Sequence, residues 1–138
     1  MGEGSGKICL DTDIIIDYLK ETKETENLMK KLYNKFDEIV LTTVTMYELL
    51  VGVEYLGGKD RDDIETVIRN SSILLLDEIA SREAAKITAE LKKSGQQIGI
   101  ADELIAAICK TYDICLLTKN IGHFQRVRDL KVIGLNEI

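Results

Sequence analysis

Short aliphatic runs alternate along this chain with stretches whose apolar residues recur at helical spacing. Ile8 to Leu10, Ile39 to Leu41, Ile73 to Leu76, Ile114 to Leu117 and Val132-Ile133 are near-continuous and bounded by polar residues, which predicts five strands. Between them Leu28, Met29, Leu32, Tyr33 and Phe36 fall on one helical face, as do Ile64, Val67 and Ile68, and then Ala84, Ala85, Ile87, Thr88 and Leu91. Gly57-Gly58 and Gly95 stand where helices would stop, and Asp60 with Asp63 would begin another. Strands that are apolar throughout are buried on both faces, the mark of a parallel sheet covered by helices. The expected fold is a three-layer α/β/α sandwich with a central parallel sheet of about five strands.

Ligands of such sheets bind beyond the carboxyl ends of the strands, and polar residues interrupt the apolar pattern there. Asp11 closes the first run, and Thr12 or Asp13 is the expected N-cap of a helix over Ile14 to Lys20. One cap explains one carboxylate at this junction, not two, so Asp11 is a functional candidate. Asp17 reads as a solvated helix residue. Glu48 interrupts the apolar stretch from Val44 to Val53. It is either the acid of a Thr45-x-x-Glu48 capping box or, if the helix starts at Thr42 or Thr43, an acid inside it with little water around. Asp102 opens a helix from Ala101 to Lys110 and alone would count as a favourable first-turn acid. Thr118 and Asn120 lie in the turn after the fourth strand, where they satisfy turn backbone or serve a site. His123 alone reads as a packing residue. Lys119, Arg126 and Arg128 add positive charge at this corner, with a solvated face as the default for any one of them. Ionised carboxylates in apolar surroundings need a compensating cation or donors, so several converging on one point would imply a metal.

Composition bounds these readings. The chain has 138 residues, 45% hydrophobic and 30% charged, enough for one domain with a real core. Residues 1–6 read as a flexible tail and 7–138 as a single domain. No run is long enough for a membrane span and no export signal is visible, which points to the cytoplasm. Cys9, Cys109 and Cys115 form no CxxC pair and read as reduced core thiols. A single histidine rules out a His-rich metal site. The net charge of −6 means that a polyanionic substrate would need a local basic rim and a cation in the site.

Four segments together resemble a PIN-domain nuclease, most closely the VapC-type toxins of prokaryotic toxin–antitoxin pairs. They are Leu10 to Leu19, Tyr47 to Gly52, Gly99 to Ala107 and Leu116 to Phe124, in an order that spans nearly the whole chain from Lys7. The resemblance implies a metal-dependent endoribonuclease of PIN-like fold that hydrolyses RNA phosphodiesters. Asp11, Glu48 and Asp102 correspond to the family's acidic metal ligands, with Mg²⁺ or Mn²⁺ as the cofactor. Thr118 corresponds to a hydroxyl residue near the site, and Asn120 joins the expected catalytic set. The family often places a fourth acid after the fourth strand, where this chain has Asn120 and His123, which weakens the case for a second ion. A homodimer and a small antitoxin are the implied partners. Clustered acids resist ionisation until metal arrives, so activity should fall in acid.

Two other classes compete. A phosphorelay receiver would also pair acids after the first strand and would use Asp77 as phosphoacceptor. Its threonine and lysine, however, should come from different strands, whereas Thr118 and Lys119 are adjacent, and Asp77 is more simply the N-cap of a helix starting at Glu78. A catalytically silent PIN-fold interaction module would explain the missing acid and the acidic charge balance. An Asp11-x-Asp13 phosphatase is weaker, because nothing else in the chain supplies its remaining parts.

Overall fold

The computed structural model describes residues 6–56, 58 and 60–138. The tail expected over 1–6 therefore lies outside these residues except for Gly6, and so does Gly57. Five strands, β1 (Lys7–Leu10), β2 (Glu38–Thr42), β3 (Ser72–Leu74), β4 (Cys115–Leu117) and β5 (Val132–Ile133), form one sheet in the order β3-β2-β1-β4-β5. Every pairing is parallel. The chain connects them through α1 (Thr12–Tyr18), α2 (Lys23–Lys35), α3 (Thr43–Leu56), α4 (Arg61–Arg69), α5 (Glu78–Lys93), α6 (Ile100–Thr111) and α7 (Ile121–Phe124).

Strand order and side-chain alternation divide the core in two. The chain builds β1, β2 and β3 outward in one direction, then returns past β1 to build β4 and β5 in the other. Right-handed crossovers therefore place the connecting helices on opposite faces. Ile8, Leu10, Ile39, Leu41 and Leu117 pack with Ile14, Ile15, Leu32, Leu49, Val53 and Ile64 from α1 to α4. Cys9, Val40 and Leu116 face the other way, onto Ala84, Ile87, Leu91, Ile105, Ala106 and Phe124 from α5 to α7. Each fully buried Ile or Leu contributes about 1.5–3 kcal/mol, so neither face can be exposed by a register slip without a large loss. The reversal between β1 and β4 is the topological switch point, the place beyond the carboxyl ends of the strands where ligands of such sheets bind.

Several boundaries differ from the pattern-based expectation. The third strand stops at Leu74, because Leu75 is exposed and the Leu76 N–H donates to the Thr43 hydroxyl (3.1 Å) instead of continuing a ladder. The fourth begins at Cys115, one residue later than expected, after Asp113 adopts φ 55°. Helix α5 ends as expected at Gly95. Its φ of 68° lets the Gly95 N–H reach the Lys92 carbonyl (3.2 Å) and the Gln96 N–H reach that of Leu91 (2.8 Å). Asp77 caps α5, accepting from the Ala80 N–H (2.9 Å), and also accepts from the Tyr112 hydroxyl. Its carboxylate is thus committed to structure, which removes the phosphoacceptor that a receiver domain requires. Cys9, Cys109 and Cys115 are free thiols, the first two buried and the third partly so.

Candidate active site

Asp11 and Thr118 are far apart in sequence, but the sheet register makes them neighbours. Leu10 pairs with Leu117 across β1 and β4, and the next residue on each strand is Asp11 or Thr118. The Asp11 N–H still bonds the Leu117 carbonyl (3.0 Å) and the Thr118 N–H that of Ile133 (3.1 Å). Alternation turns both side chains toward the face that carries α6. The Thr118 hydroxyl donates to Asp11 Oδ2 (2.7 Å) and accepts from the Asn120 N–H (2.9 Å). That second bond occupies the oxygen and directs the hydroxyl proton at Asp11.

Asp11 is only 5% exposed, and its Oδ1 accepts from the Thr12 N–H (2.8 Å). It is itself the N-cap of α1, which starts at Thr12. This corrects the expectation of a cap at Thr12 or Asp13 and a helix starting at Ile14: the cap and the functional candidate are one residue. The expectation for Asp17 is also corrected. It is not simply solvated but pairs with Lys20 (3.3 Å) and with Lys119 across the site's rim.

Glu48 lies inside α3, which begins at Thr43 because Thr42 Oγ1 accepts the Thr45 N–H (3.1 Å). The capping-box alternative for Thr45 and Glu48 is therefore excluded. Thr45 serves elsewhere: its hydroxyl lies 3.2 Å from that of Thr12, which donates to Glu48 Oε1 at 2.6 Å. Thr12 was legible only as a cap candidate, yet it links Asp11 by its N–H and Glu48 by its hydroxyl.

Asp102 stands in the first turn of α6, which opens at Ile100 after Gly99, one residue earlier than expected. Gly99 has φ 102°, a conformation that favours glycine. Asp102 Oδ2 is 3.5 Å from His123 Nδ1, and that nitrogen is 2.8 Å from Asn120 Nδ2. Contacts thus run from Glu48 through Thr12, Asp11, Thr118, Asn120 and His123 to Asp102, and at the last step the single His123 Nδ1 either accepts from Asn120 Nδ2 or donates to Asp102. All five sequence-derived site residues lie on this path, with Thr12 and His123 added.

Electrostatics adds Asp13. Burial pushes the Asp11 carboxyl above its ordinary range; the bonds from Thr118 and Thr12 pull it down, and the charges of Asp102 and Asp13 push it further up. Burial likewise raises Asp102, opposed by His123 and reinforced by Asp13 and Glu103. Exposed Asp13 is thus part of the acidic field, a role that its reading as a helix cap did not reveal. Among the described residues, no three His, Cys, Asp or Glu side chains converge closely enough to grip an ion as they stand. Thr12 intervenes between Asp11 and Glu48, and His123 lies against Asp102. The donor chemistry nevertheless fits a hard divalent cation: it is dominated by carboxylate, hydroxyl and amide groups, with one imidazole and no thiolate. Mg²⁺ needs only one or two carboxylates beside water and phosphate oxygens, and carboxylates raised by burial and mutual repulsion gain from a cation.

Known proteins are similar to this chain in fold and sequence. The PIN domain family matches residues 8–130. The Ribonuclease VapC of Rickettsia bellii is 30% identical over 131 residues, covering 91% of this chain and 94% of its own. The tRNA(fMet)-specific endonuclease VapC of Shigella flexneri is 27% identical over 127 residues, covering 91% and 95%. The crystal structure of DNA-bound VapBC from Salmonella typhimurium superposes with a TM-score of 0.81 at 23% identity, over 95% of this chain and 99% of the matched one. The five-stranded parallel sheet, the acids at its switch point and these matches agree, and the chain belongs to the PIN domain family, among its VapC-type ribonucleases.

Proposed function

We propose that residues 7–138 form one PIN-type catalytic unit that hydrolyses RNA phosphodiesters endonucleolytically with Mg²⁺ or Mn²⁺, as the toxin of a toxin–antitoxin pair. The observation that carries this reading is Asp11, a buried carboxylate with a donor on each oxygen, set at the switch point in the field of Asp102 and Asp13. Asp11, Glu48 and Asp102 would hold the ion. When bound, the ion supplies a water-derived nucleophile at neutral pH and neutralises charge on the phosphate.

The chain's own residues prepare for that chemistry. Thr118, its proton aimed by the Asn120 N–H, fixes one oxygen of Asp11, while the Thr12 N–H fixes the other. The Thr12 hydroxyl, with Thr45 behind it, orients Glu48. His123 and Asn120 would stand in for the fourth acid, and a His123 N–H on Nδ1 would steady Asp102. An amide and an imidazole hold a hard cation less well than a carboxylate does, which favours one tightly held ion. Preorganised ligands of this kind act where charge develops without reorganising during the reaction.

RNA as substrate, a small antitoxin and a second copy of the chain complete the reading. Apolar surface for such partners is present on the outer side of α3. Tyr47, Val51 and Tyr55 stand exposed there around a hollow of about 650 Å³, and contiguous apolar patches mark interaction sites. No helix among the described residues is long and apolar enough to cross a membrane. The test is incubation of antitoxin-free protein with structured and unstructured RNA in Mg²⁺, in Mn²⁺ and in EDTA, beside Asp11→Asn and Asp102→Asn. Cleavage that chelator and both substitutions abolish is expected. Wild-type protein inert in every metal would leave the silent interaction module.

A further inference from the structure

A chain of net charge −6 that acts on a polyanion must concentrate cations where the substrate lies. Lys119, beside Asn120 in sequence, does not meet this need, because it is bound to Asp17. The cations that do meet it lie on the other side of α7. A hollow of about 400 Å³ opens between the end of α5 and the segment after α7, with Lys93, Arg126 and Arg128 in its wall and Glu90 as its one carboxylate. Among the described residues, these three cations form no ion pair, unlike Lys110 with Glu83 (3.0 Å) and Lys131 with Asp113 (2.9 Å). Arg126 is instead turned onto backbone, 3.5 and 3.4 Å from the carbonyls of Gln96 and Gln97.

Those bonds tie the hollow to the acidic site at two points. Gln96 and Gln97 belong to the connection that delivers α6, and hence Asp102. The Arg126 N–H bonds the carbonyl of His123 (3.1 Å), whose ring lies against Asp102. Arg126 and Arg128 thus follow α7 directly in the chain, and the hollow they share with Lys93 is bonded to the connection that carries Asp102.

From this we infer that the hollow is a seat for the sugar–phosphate backbone of single-stranded RNA flanking the cleaved bond, with Lys93 and Arg128 neutralising phosphates and Arg126 holding the wall. The inference rests on the ribonuclease reading for its substrate but on separate residues for its site. Open, charged walls without aromatic side chains suit backbone contact rather than base readout. The seat therefore contributes affinity without sequence preference, and specificity arises elsewhere.

The test is fluorescence anisotropy of a labelled single-stranded RNA oligonucleotide in EDTA, where cleavage does not intervene, across a range of KCl. Wild type is compared with Lys93→Glu/Arg128→Glu and with Lys31→Glu/Lys35→Glu on α2, which changes the net charge equally. The first variant is expected to bind roughly tenfold or more weakly near 0.1 M salt and to lose about 1.4 from the log–log salt slope, about 0.7 for each phosphate contact. The α2 variant should follow wild type. Equal weakening in both variants, or none in the first, overturns the seat. In a metal-loaded cleavage assay the first variant should raise KM and leave kcat unchanged. Wild-type cleavage with an unaltered KM in that variant would remove the seat and spare the ribonuclease. Absence of cleavage in every metal would remove the ribonuclease, while the anisotropy still decides the seat.

Discussion

Asp11 and Glu103 are the two deeply buried carboxylates of this protein's described residues, 5% and 3% exposed, and their partners are of the same kind. Asp11 accepts from the Thr118 hydroxyl (2.7 Å) and the Thr12 N–H (2.8 Å). Glu103 accepts from the Thr88 hydroxyl (2.6 Å) and the Ile98 N–H (3.3 Å). By donors alone the two are indistinguishable. Their surroundings differ. Asp11 sits at the switch point in the field of Asp102 and Asp13, with Glu48 reached through Thr12. Glu103 turns into the seam between α5 and α6 and pins the segment that joins them. Burial of a carboxylate therefore does not identify a catalytic group. What sets Asp11 apart as the candidate is burial reinforced by the charges of Asp102 and Asp13 at the switch point.

Exchange of charge for shape at Asp11 should break the symmetry most strongly. Asp11→Asn is expected to lower RNA cleavage by at least about 10²–10³-fold, the scale of removing one preorganised electrostatic group, while the protein stays folded, because an amide oxygen still caps α1 and removal of a buried charge offsets the lost acceptor of the Thr118 hydroxyl. Glu103→Ala should do the reverse. It leaves the Thr88 hydroxyl and the Ile98 N–H buried without their acceptor, at about 1–3 kcal/mol of stability for such a loss, measured by urea unfolding. Residual cleavage per folded molecule should fall far less than for Asp11→Asn. Cleavage lost in Glu103→Ala at unchanged stability would erase the distinction between the two carboxylates.

Thr118→Val sharpens the comparison from the donor's side. The substitution keeps the shape of the side chain and removes the proton aimed at Asp11 Oδ2. Loss of an outer partner of a metal-binding group typically reduces affinity or activity by about 10–100-fold. Mg²⁺ titration of cleavage should show a higher half-saturating concentration for the variant. An unchanged titration would mean that Thr118 serves the turn and not the site.

The sheet was the most legible part of the sequence, because a parallel strand buried on both faces leaves an unbroken aliphatic run such as Ile114 to Leu117. Its edges were less so: Leu75 and Leu76 continue the apolar run of β3 but lie beyond it, since apolar character does not reveal where pairing stops. Asp11, Glu48 and Asp102 stood out as acids in apolar company, and the resemblance named them together. The path between them could not be read, because it depends on Thr12 and Thr45 meeting across helices and on Thr118 facing Asp11 across two central strands. Arg126 and Arg128 read as solvated charges. Only the approach of α5 to the segment after α7 places them in one wall with Lys93.

The smallest effect separates the acidic site from the rest of the molecule by pH. Burial holds the Asp102 carboxyl above its ordinary range, so folding disfavours its charged form. The stability associated with its proton is complete below the unfolded carboxyl value and is lost as pH rises through the raised folded one. At neutral pH, metal-free wild type therefore carries a penalty that Asp102→Asn lacks. In EDTA the variant should be more stable at pH 7, by about half a kcal/mol or less, the range of substitutions outside the core. The difference should shrink toward zero as the solution is acidified below the ordinary carboxylate range. Asp11, raised partly by the charge of Asp102, should contribute in the same direction. Saturating Mg²⁺ should invert the order, because an ion that binds the folded wild type stabilises it in proportion to its affinity and the variant has lost a ligand. Differential scanning fluorimetry at matched pH with and without metal measures both halves. A variant that is less stable in EDTA at pH 7, or equally stabilised by Mg²⁺, would mean that Asp102 is a structural acid like Glu103.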